Sequence, residues 1–246
     1  MRFIVTAGPT REHIDPVRFL SNPSTGRMGF AVARAARDAD HEVTLIAGPV
    51  ALKTPRGVRR VDVVSARDML AAVQAELNIA DANPRRTDAI NCVPPVKSGL
   101  LGGAQLVAPA NATVLVMTAA VADWRPARCA PKKLKKSQMA DTIRLVRNPD
   151  ILKTLSRLPA KERPVLVGFA AETGNAVAEA GRKCHEKKLS LIVANDVTAP
   201  GAGFAVDTNR VAFVFPNGTA ERLPLMTKRA VARRVVAAAE SQLLRF

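Results

Sequence analysis

The chain has 246 residues but no tyrosine, a single tryptophan, three histidines and three cysteines. Cys92, Cys129 and Cys184 lie far apart and form no CxxC pair, so they provide no metal framework. Their odd number also argues against a disulfide scaffold, and we expect the reducing cytoplasm as the compartment. The histidines share no ligand spacing, and no Ser-His-Asp or Cys-His grouping indicates a nucleophilic enzyme.

Long apolar runs are also missing. The longest, residues 112–122, is too short to span a bilayer. A strand pattern begins within two residues of Met1, which leaves no room for a signal peptide. We therefore expect a cytoplasmic protein without a membrane partner.

The chain has few acidic residues for its number of basic ones. Its 21 Asp and Glu and 37 Lys and Arg give a formal net charge of +16. Such a charge favours phosphates, nucleotides or nucleic acid as partners, or it belongs to a solvated basic surface. A nucleic-acid-binding protein predicts exposed aromatic residues or a recognised binding motif. The scarcity of aromatic residues and the lack of such a motif weaken that alternative, and we expect no nucleic-acid partner.

Apolar runs of strand length alternate with helical patterns, which indicates an α/β fold with a parallel sheet wrapped by helices. The length and the 48% apolar content fit a single domain over residues 1–246. The predicted strands are residues 3–7, 42–47, 58–64, 114–120, 143–146, 165–170, 191–194 and 211–215, the last leading into a hairpin at Asn217-Gly218. The predicted helices are residues 30–38, 66–77 with Ser65 and Asp68 in a capping box, one opened by Asn148 as cap with Pro149 in its first turn, 174–188 and 227–244.

Two segments stand outside this alternation. Residues 78–112 are rich in Pro, Gly and Asn and lack periodicity, so they read as a long surface insertion. Residues 124–141 carry four lysines at positions 132, 133, 135 and 136 and read as a mobile basic flap. Four ammonium groups so close together repel one another unless they are solvated or face a polyanion such as a triphosphate.

The loop after the first predicted strand is the most informative. Gly26 and Gly29 allow a close backbone approach, and the helix that follows offers unpaired N–H groups, so a phosphate or carboxylate site and an ordinary glycine-rich turn are both open. The chain contains neither GxGxxG nor a GK[ST] triplet. Walker A is therefore excluded, and a Rossmann-type nucleotide-binding oxidoreductase is the weaker enzyme alternative.

Three further features could carry chemistry. Asp123 follows a central predicted strand, where it could accept ribose hydroxyls, hold Mg²⁺ or simply cap a helix. Lys183 and Lys187 lie four apart on one helical face, which fits either an anionic ligand or an exposed basic face. Cys184 lies among basic residues that could lower its pKa, but no base is nearby, so we assign it no catalytic role.

Several blocks occur together and in order: TAGPTRE, DPVRFLSN, GRMG, AGPV, AAVADWRP, a K-x-K-K flap, VRNPDIL, VGFAAET, IVANDV and a downstream D-x-N. Jointly they resemble phosphopantothenoylcysteine synthetase of the bacterial, CTP-dependent type, which is often the C-terminal half of a bifunctional coenzyme A biosynthesis protein. The resemblance covers nearly the whole chain except residues 78–112.

The resemblance implies a Rossmann-like three-layer sandwich with a mostly parallel sheet and a C-terminal β-hairpin and dimerisation region. It implies a ligase that uses CTP and Mg²⁺ to activate the carboxylate of 4′-phosphopantothenate as an acyl-cytidylate, from which the amine of cysteine displaces CMP. The expected partners are these small molecules and a second copy of the chain. The flavin-dependent decarboxylase half is absent, so this chain should catalyse only the ligation.

The resemblance also assigns residues. The catalytic residues would be Asn22 and Lys133, and the metal would be held by Asp123. The substrate-binding residues would be Asn22, Ser24, Gly26, Gly29, Phe30 and, reaching a neighbour's site, Asn195. The nucleotide-binding residues would be Gly8, Met117, Thr118, Ala119, Asp123, Lys133, Pro149, Asp150, Ile151, Leu152, Phe169, Lys183 and Lys187. Arg27, where the family leads us to expect Lys, and Pro23 in the substrate loop depart from the pattern.

Overall fold

The computed structural model of the protein describes residues 1–79, 112–135, 141–172, 176–196 and 206–243. Its main feature is an eight-stranded sheet with helices on both faces. The strands of this sheet are β1 (Arg2–Ala7), β4 (Glu42–Ala47), β5 (Arg59–Asp62), β6 (Thr113–Met117), β9 (Val165–Glu172), β10 (Leu191–Asp196), β12 (Val211–Val214) and β13 (Ala220–Arg222). The helices are α1 (Arg27–Asp38), α2 (Ala66–Glu76), α3 (Ile151–Leu155), α4 (Ala176–Glu186) and α5 (Lys228–Leu243).

Within the described residues, three two-stranded ribbons lie outside the main sheet. They are β2 (Arg11–His13) with β3 (Phe19–Ser21), β7 (Trp124–Pro126) with β8 (Leu145–Arg147), and β11 (Thr208–Asn209) with β14 (Met226–Thr227). A short 3-10 turn covers Ala160–Glu162.

The strand order across the main sheet is β13-β12-β10-β9-β6-β1-β4-β5. The chain starts at β1, moves outward through β4 and β5, and then returns past β1 to β6, β9 and β10, with all six of these strands parallel. This doubly wound order confirms the predicted α/β, mostly parallel sheet. It places the topological switch point between β1 and β6, where open sheets of this kind bind their ligands at the carboxyl ends of the strands.

Alternate side chains of the strands supply two cores, one on each face of the sheet. On one face, Phe3 and Phe213 are fully buried against the apolar sides of α1 and α5. On the other face, Ile4 and Leu115 pack against α2, α3 and α4. Burial of side chains of this size stabilises the fold by about 1.5–3 kcal/mol each, which explains why the apolar runs of the sequence locate these strands.

The helix boundaries agree with the expected ones where a local signal sets them. Ser65 and Asp68 form the predicted capping box at the start of α2, with the Asp68 N–H donating to Ser65 Oγ at 3.1 Å. The hairpin at Asn217-Gly218 is confirmed, because β12 and β13 pair antiparallel and Gly218 has a φ of 82°. Helix α1 begins at Arg27, three residues before the predicted start.

Two expectations for residues 141–152 are wrong. Asp150 is the N-cap of α3 and accepts a hydrogen bond from the Lys153 N–H at 3.0 Å, so Asn148 is not the cap. The predicted strand 143–146 lies at Leu145–Arg147 and pairs with β7 rather than with the main sheet. Residues 124–126, which were assigned to the flap, therefore belong to a ribbon. The predicted insertion, residues 78–112, falls almost entirely outside the described residues.

Within the described parts of the chain, none of the helices is long and apolar enough to cross a membrane.

Two helical glycines allow a matched test of the packing. A Cβ added at Gly29 in α1 would lie 2.5 Å from Ala7 Cβ, whereas one added at Gly181 in α4 finds only Val214 Cγ1 at 3.9 Å. Gly181→Ala should raise the free energy of unfolding by about 0.5–1 kcal/mol, since alanine is the better helix former. Gly29→Ala should lower it by about 1–3 kcal/mol through overpacking. Urea unfolding of both variants checks this, and a stabilised Gly29→Ala would contradict the packing described.

Candidate functional site

The first turn of α1 lies on the carboxyl ends of β1 and β6, at the switch point of the sheet. Gly26 caps the helix with a φ of 75° and Gly8 leaves β1 with a φ of 78°, both in the left-handed region that favours glycine. A Cβ on Gly26 would lie 3.4 Å from the Cα of Gly8, and one on Gly29 would lie 2.4 Å from Thr118 Oγ1. These glycines let the helix begin directly against the two strand ends.

This first turn is suited to an anion. It contains no acidic residue, and its N-cap, Gly26, has no side chain to accept the N–H groups of the turn, so the positive end of the helix dipole favours an anion there. Ser24 is half-buried beside it, and its Oγ accepts a hydrogen bond from the Gly26 N–H at 3.4 Å. Phe30 is 5% exposed and packs in the core, so it supports the turn rather than lining the surface.

Threonine hydroxyls tie the loop after β6 to the end of β1. Thr118 Oγ1 donates to the Thr6 carbonyl at 2.6 Å, and Thr6 Oγ1 accepts from the Ala119 N–H at 3.3 Å. Farther along, the Ala122 N–H donates to Oγ1 of the fully buried Thr10 at 3.0 Å. The two loops at the switch point are therefore fixed to each other beyond the last regular strand pairing.

Asn22 lies across this loop. Its Nδ2 donates to the Val121 carbonyl at 3.1 Å and to the Ala120 carbonyl at 3.4 Å, and its side chain is exposed. The preceding residue is anchored as well, because Ser21 Oγ donates to the Thr10 carbonyl at 2.8 Å. The structure thus brings the predicted catalytic asparagine onto the segment that contains the predicted nucleotide-binding residues.

Asn148 joins this segment to the start of α3. Its Nδ2 donates to the Ala122 carbonyl at 2.8 Å, and its backbone N–H donates to the Asp123 carbonyl at 2.8 Å. Arg125 also donates to Asn148 Oδ1 at 3.2 Å. Asn148 therefore holds Asp123 beside the residues that begin α3, which include Pro149 and Asp150. The sequence prediction gave Asn148 a capping role and missed this one.

Lys183 and Lys187 have acidic partners in the structure. Lys187 Nζ lies 2.8 Å from Asp150 Oδ2, and Lys183 Nζ lies 3.6 Å from Glu179 Oε1. These ion pairs offset the like charges without a ligand, so the spacing of the lysines does not by itself indicate an anion. The pair of Lys187 with Asp150 does bring the end of α4 to the start of α3, and two predicted nucleotide-binding residues meet there.

The remaining predicted nucleotide-binding residues differ in exposure. Met117 and Ile151 are buried, at 7% and 3% exposure, so their side chains belong to the core. Phe169 and Leu152 are half-buried on β9 and α3. A Cβ on Gly168 would lie 2.9 Å from Leu189 Cδ1, so this part of β9 is tightly packed under α3 and α4.

Asp123 is exposed at the end of the same loop. The described residues contain no group of three His, Cys, Asp or Glu that could hold a metal ion on their own. Mg²⁺ is usually bound through one or two carboxylates together with substrate phosphates and water, rather than by a cage of protein ligands. A single exposed carboxylate therefore fits a Mg²⁺ ion that arrives with a nucleotide.

The stretch of the basic flap described up to Lys135 is anchored to the turn between β2 and β3. The Leu134 N–H donates to Asp15 Oδ2 at 3.2 Å, and the Leu134 carbonyl accepts from Arg18 at 2.9 Å. Lys133, the predicted catalytic lysine, is exposed next to this anchor. Asp15 was not among the predicted site residues, although the DPVR block held the signal of an acid and a base three residues apart.

Asn195 lies apart from the other residues. It lies next to the last residue of β10, which is separated from β1 by β9 and β6, so it is about 14 Å from the β1 end along the sheet. The residue is 8% exposed, and its Oδ1 has no hydrogen-bond partner among the described residues. Such an orphaned buried acceptor is unusual and marks a position open to a further donor. The structure does not bring Asn195 to Asn22 within one chain.

A second group of side-chain contacts lies at the start of α1. Its only signal in the sequence is the D-x-N block at residues 207–209. Arg27 forms an ion pair with Asp207 at 2.8 Å, and Asn209 Nδ2 contacts Met28 Sδ at 3.8 Å. Lys228 is buried below it, and burial, together with the nearby Arg27, lowers the pKa of its ammonium group. The segment before α5 is therefore fixed against the first turn of α1.

Cys184 differs from the possibility that its basic neighbours lower its pKa. Burial raises the pKa of the Cys184 thiol to about 11, so its basic neighbours along the helix do not activate it.

The fold and this site define a doubly wound α/β protein whose switch point carries an anion-compatible helix start beside an exposed carboxylate and a lysine flap. A family profile described as the DNA/pantothenate metabolism flavoprotein C-terminal domain matches residues 1–83 and 101–243. The chain therefore belongs to this family. Residues 84–100, inside the segment of low periodicity, have no counterpart in the profile.

Relatives of known name agree with this assignment. The chain is 40% identical over 235 residues to the coenzyme A biosynthesis bifunctional protein CoaBC of Vibrio vulnificus, covering 95% of this chain and 50% of the relative. It is 42% identical to the protein of that name from Bacillus subtilis, covering 92% and 47%. The crystal structure of the C-terminal domain of such a protein superposes with a TM-score of 0.72 at 37% identity, covering 100% of this chain and 96% of that domain. The chain thus spans about half the length of the curated relatives it matches.

Proposed function

We propose that the protein is a phosphopantothenoylcysteine synthetase, which joins 4′-phosphopantothenate and L-cysteine in coenzyme A biosynthesis with CTP as co-substrate and Mg²⁺ as the metal. The observation that carries the proposal is the position of Asn22, whose amide donates to the Ala120 and Val121 carbonyls of the loop that lies against the first turn of α1. Membership of the family and the names of the relatives support it. A cytoplasmic location belongs to the same proposal.

In the first step, a carboxylate oxygen of 4′-phosphopantothenate attacks the α-phosphorus of CTP. The new P–O bond gives an acyl-cytidylate, the bond to the bridging oxygen breaks, and pyrophosphate leaves. The barrier is lowered by in-line positioning and by charge neutralisation rather than by a strong base. Exposed Lys133 is suited to neutralise the leaving pyrophosphate, and Gly8, Gly26 and Gly29 let the first turn of α1 lie directly against the strand ends where the reacting groups would bind.

In the second step, the amine of cysteine attacks the acyl carbon and CMP leaves with its phosphate. The amide bond forms as the mixed anhydride bond breaks, and the amine proton passes to solvent. Asn22 Nδ2 would exchange its longer hydrogen bond, to the Ala120 carbonyl at 3.4 Å, for one to an anhydride oxygen, which a carboxylate would repel. No covalent bond between enzyme and substrate is required.

The metal and the nucleotide would be held by the loop after β6, which contains Thr118, Ala119 and Asp123. When bound, Mg²⁺ supplies positive charge to the nucleotide phosphates, and Asp123 would hold it there. Thr118 and Ala119 would line the nucleotide with their backbone, and the ion pair of Lys187 with Asp150 would border it. The lysine flap favours the CTP-dependent branch of the family over an ATP-dependent one.

A homodimer is part of the proposal, and exposed apolar side chains support it. Trp124 is 45% exposed and Leu145 is 41% exposed on the β7–β8 ribbon, and Phe19 is 39% exposed on the adjoining β2–β3 ribbon. The register of the ribbon, with Trp124 opposite Arg147, puts Trp124 and Leu145 on the same face. Apolar side chains grouped in this way mark protein–protein contacts more often than isolated ones do. A dimer would also let Asn195 serve a neighbour's site.

The activity predicts a direct assay. Pyrophosphate release should require CTP, Mg²⁺ and 4′-phosphopantothenate, and turnover should be coupled to consumption of cysteine. Asn22→Ala and Asn22→Asp should lower kcat by about 100- to 1,000-fold, as loss of one positioned donor to a developing charge does. Asn217→Ala, in the turn between β12 and β13, is the control and should keep its activity. Absence of turnover with either CTP or ATP in the unaltered protein would overturn the proposal.

The dimer predicts a separate result. Leu145→Glu would bury a carboxylate in the apolar contact, so sedimentation velocity should show a shift from dimer to monomer. Leu225→Glu changes another exposed leucine, 44% exposed and away from both ribbons, and should leave the dimer intact. A dimer that survives Leu145→Glu, or a monomeric unaltered protein, would exclude this surface.

A further inference from the structure

Asp15 is a fully buried acid that no step of the proposed reaction uses, yet it holds the flap at one residue. We propose that Asp15 is a positioning residue, which sets the place of Lys133 by anchoring the backbone of Leu134. The inference rests on the proposed function, because Lys133 acts on the nucleotide there. Asp15 itself touches no substrate in this proposal.

The anchor consists of two side-chain hydrogen bonds to the backbone of one residue, one to its N–H and one to its carbonyl. Leu134 stands between Lys133 and Lys135, its N–H donates to Asp15 Oδ2 at 3.2 Å, and its carbonyl accepts from Arg18 at 2.9 Å. Four residues earlier, the Ala130 N–H donates to the Ile14 carbonyl at 2.9 Å. The chain around the lysines is therefore tied to the β2–β3 turn by its backbone, which leaves the lysine side chains exposed.

The two oxygens of Asp15 have separate tasks. Oδ1 accepts the Val17 and Arg18 N–H groups, each at 2.8 Å, and so builds the turn itself. Oδ2 accepts from Arg18 Nε at 3.0 Å and from the Leu134 N–H, and so faces the flap. The hydrogen bond from the Arg18 guanidinium and these backbone N–H groups hold the pKa of the Asp15 carboxyl well below its usual range. The carboxylate is charged at every pH at which the enzyme would work.

Repulsion among the lysines of the flap opposes any single arrangement of this segment, and the anchor counteracts it. Lys132, Lys133 and Lys135 are exposed and carry like charges, which repel one another and favour many solvated arrangements over one. A buried carboxylate that is already rigid loses little further entropy when it accepts one more hydrogen bond. Because Leu134 directly follows Lys133, fixing its peptide unit limits where the Lys133 ammonium group can reach.

Asp15→Asn separates the two tasks. The amide oxygen can replace Oδ1 and keep the turn, whereas the amide nitrogen replaces Oδ2 and points a donor at the Leu134 N–H. We expect kcat for CTP-dependent pyrophosphate release to fall about 10- to 100-fold, the effect of a misplacement near 1 Å. Asp68→Asn, in the capping box of α2, is the matched control with the same chemical change far from the flap, and its kcat should stay within about twofold of the unaltered enzyme.

A double-mutant cycle distinguishes positioning from general support of the fold. If Asp15 acts through Lys133, Asp15→Asn should cost nothing further in a Lys133→Ala background, and the two effects should be strongly non-additive. A full, additive loss in the double variant would overturn the positioning role. Leu134→Pro removes the same N–H from the flap side and should reproduce the loss, while Leu134→Ala keeps the N–H and should not.

Trypsin provides a readout that does not depend on activity. Cleavage after Lys132, Lys133 and Lys135 should be several-fold faster in Asp15→Asn than in Asp68→Asn or the unaltered protein. Equal cleavage rates would show that Asp15 does not restrain the flap. An unaltered protein without CTP turnover would instead refute the proposed function, while the cleavage rates would still decide the anchor.

Discussion

The contact on which the site depends is the packing of the first turn of α1 against the ends of β1 and β6. Gly29 leaves no space for a Cβ between Ala7 and Thr118, so helix and strands meet at backbone distance. This brings the helix start to the topological switch point rather than a turn farther out. The proposed ligand contacts of Ser24 and Gly26 follow from this close approach, since both residues lie directly before the first turn of α1.

The rest of the site is assembled around that contact by hydrogen bonds from short polar side chains. Thr6 and Thr10 fix the loop after β6, Asn22 lies on its carbonyls, and Asn148 attaches the start of α3 to its far end. The loop has no regular secondary structure, but hydrogen bonds with the threonines after and in β1, with Asn22 and with Asn148 fix its position. A loop fixed in this way can present its backbone to a nucleotide without the GxGxxG turn that an oxidoreductase of this fold requires. The end of β4 supports the same distinction, because Gly48 lies directly against the Pro9 carbonyl where that class needs an acidic side chain.

The sequence predicted those elements whose signals are local. Apolar runs located β1, β4, β9 and β10, and Ser65 with Asp68 located the start of α2, because burial of alternate side chains and capping depend on neighbours along the chain. The ribbon of β7 and β8 was missed, since its strands are short, exposed and separated by the flap. The N-cap of α3 was misplaced by two residues because Asn148 and Asp150 are both good caps, and only the contact of Asn148 with Ala122 decides between them.

The motif blocks predicted the site residues, but they did not predict which contacts hold those residues in place. The partners of Lys183 and Lys187 lie on their own helix and on α3, and the anchor of Leu134 lies 119 residues earlier in the chain. The pKa of Cys184 moved against the sequence expectation because burial outweighs the basic residues beside it. Such relations depend on tertiary contacts, which spacing alone does not encode.

The central claim is that a carboxylate is activated as an acyl-cytidylate at the switch point. The most direct measurement is the fate of oxygen-18 placed in the carboxylate of 4′-phosphopantothenate, followed by mass spectrometry of the products after reaction with CTP and cysteine. Attack of the carboxylate on the α-phosphorus, followed by displacement by the amine, transfers one labelled oxygen to CMP. Label in inorganic phosphate would indicate an acyl phosphate instead, and CMP free of label would contradict activation by nucleotidyl transfer.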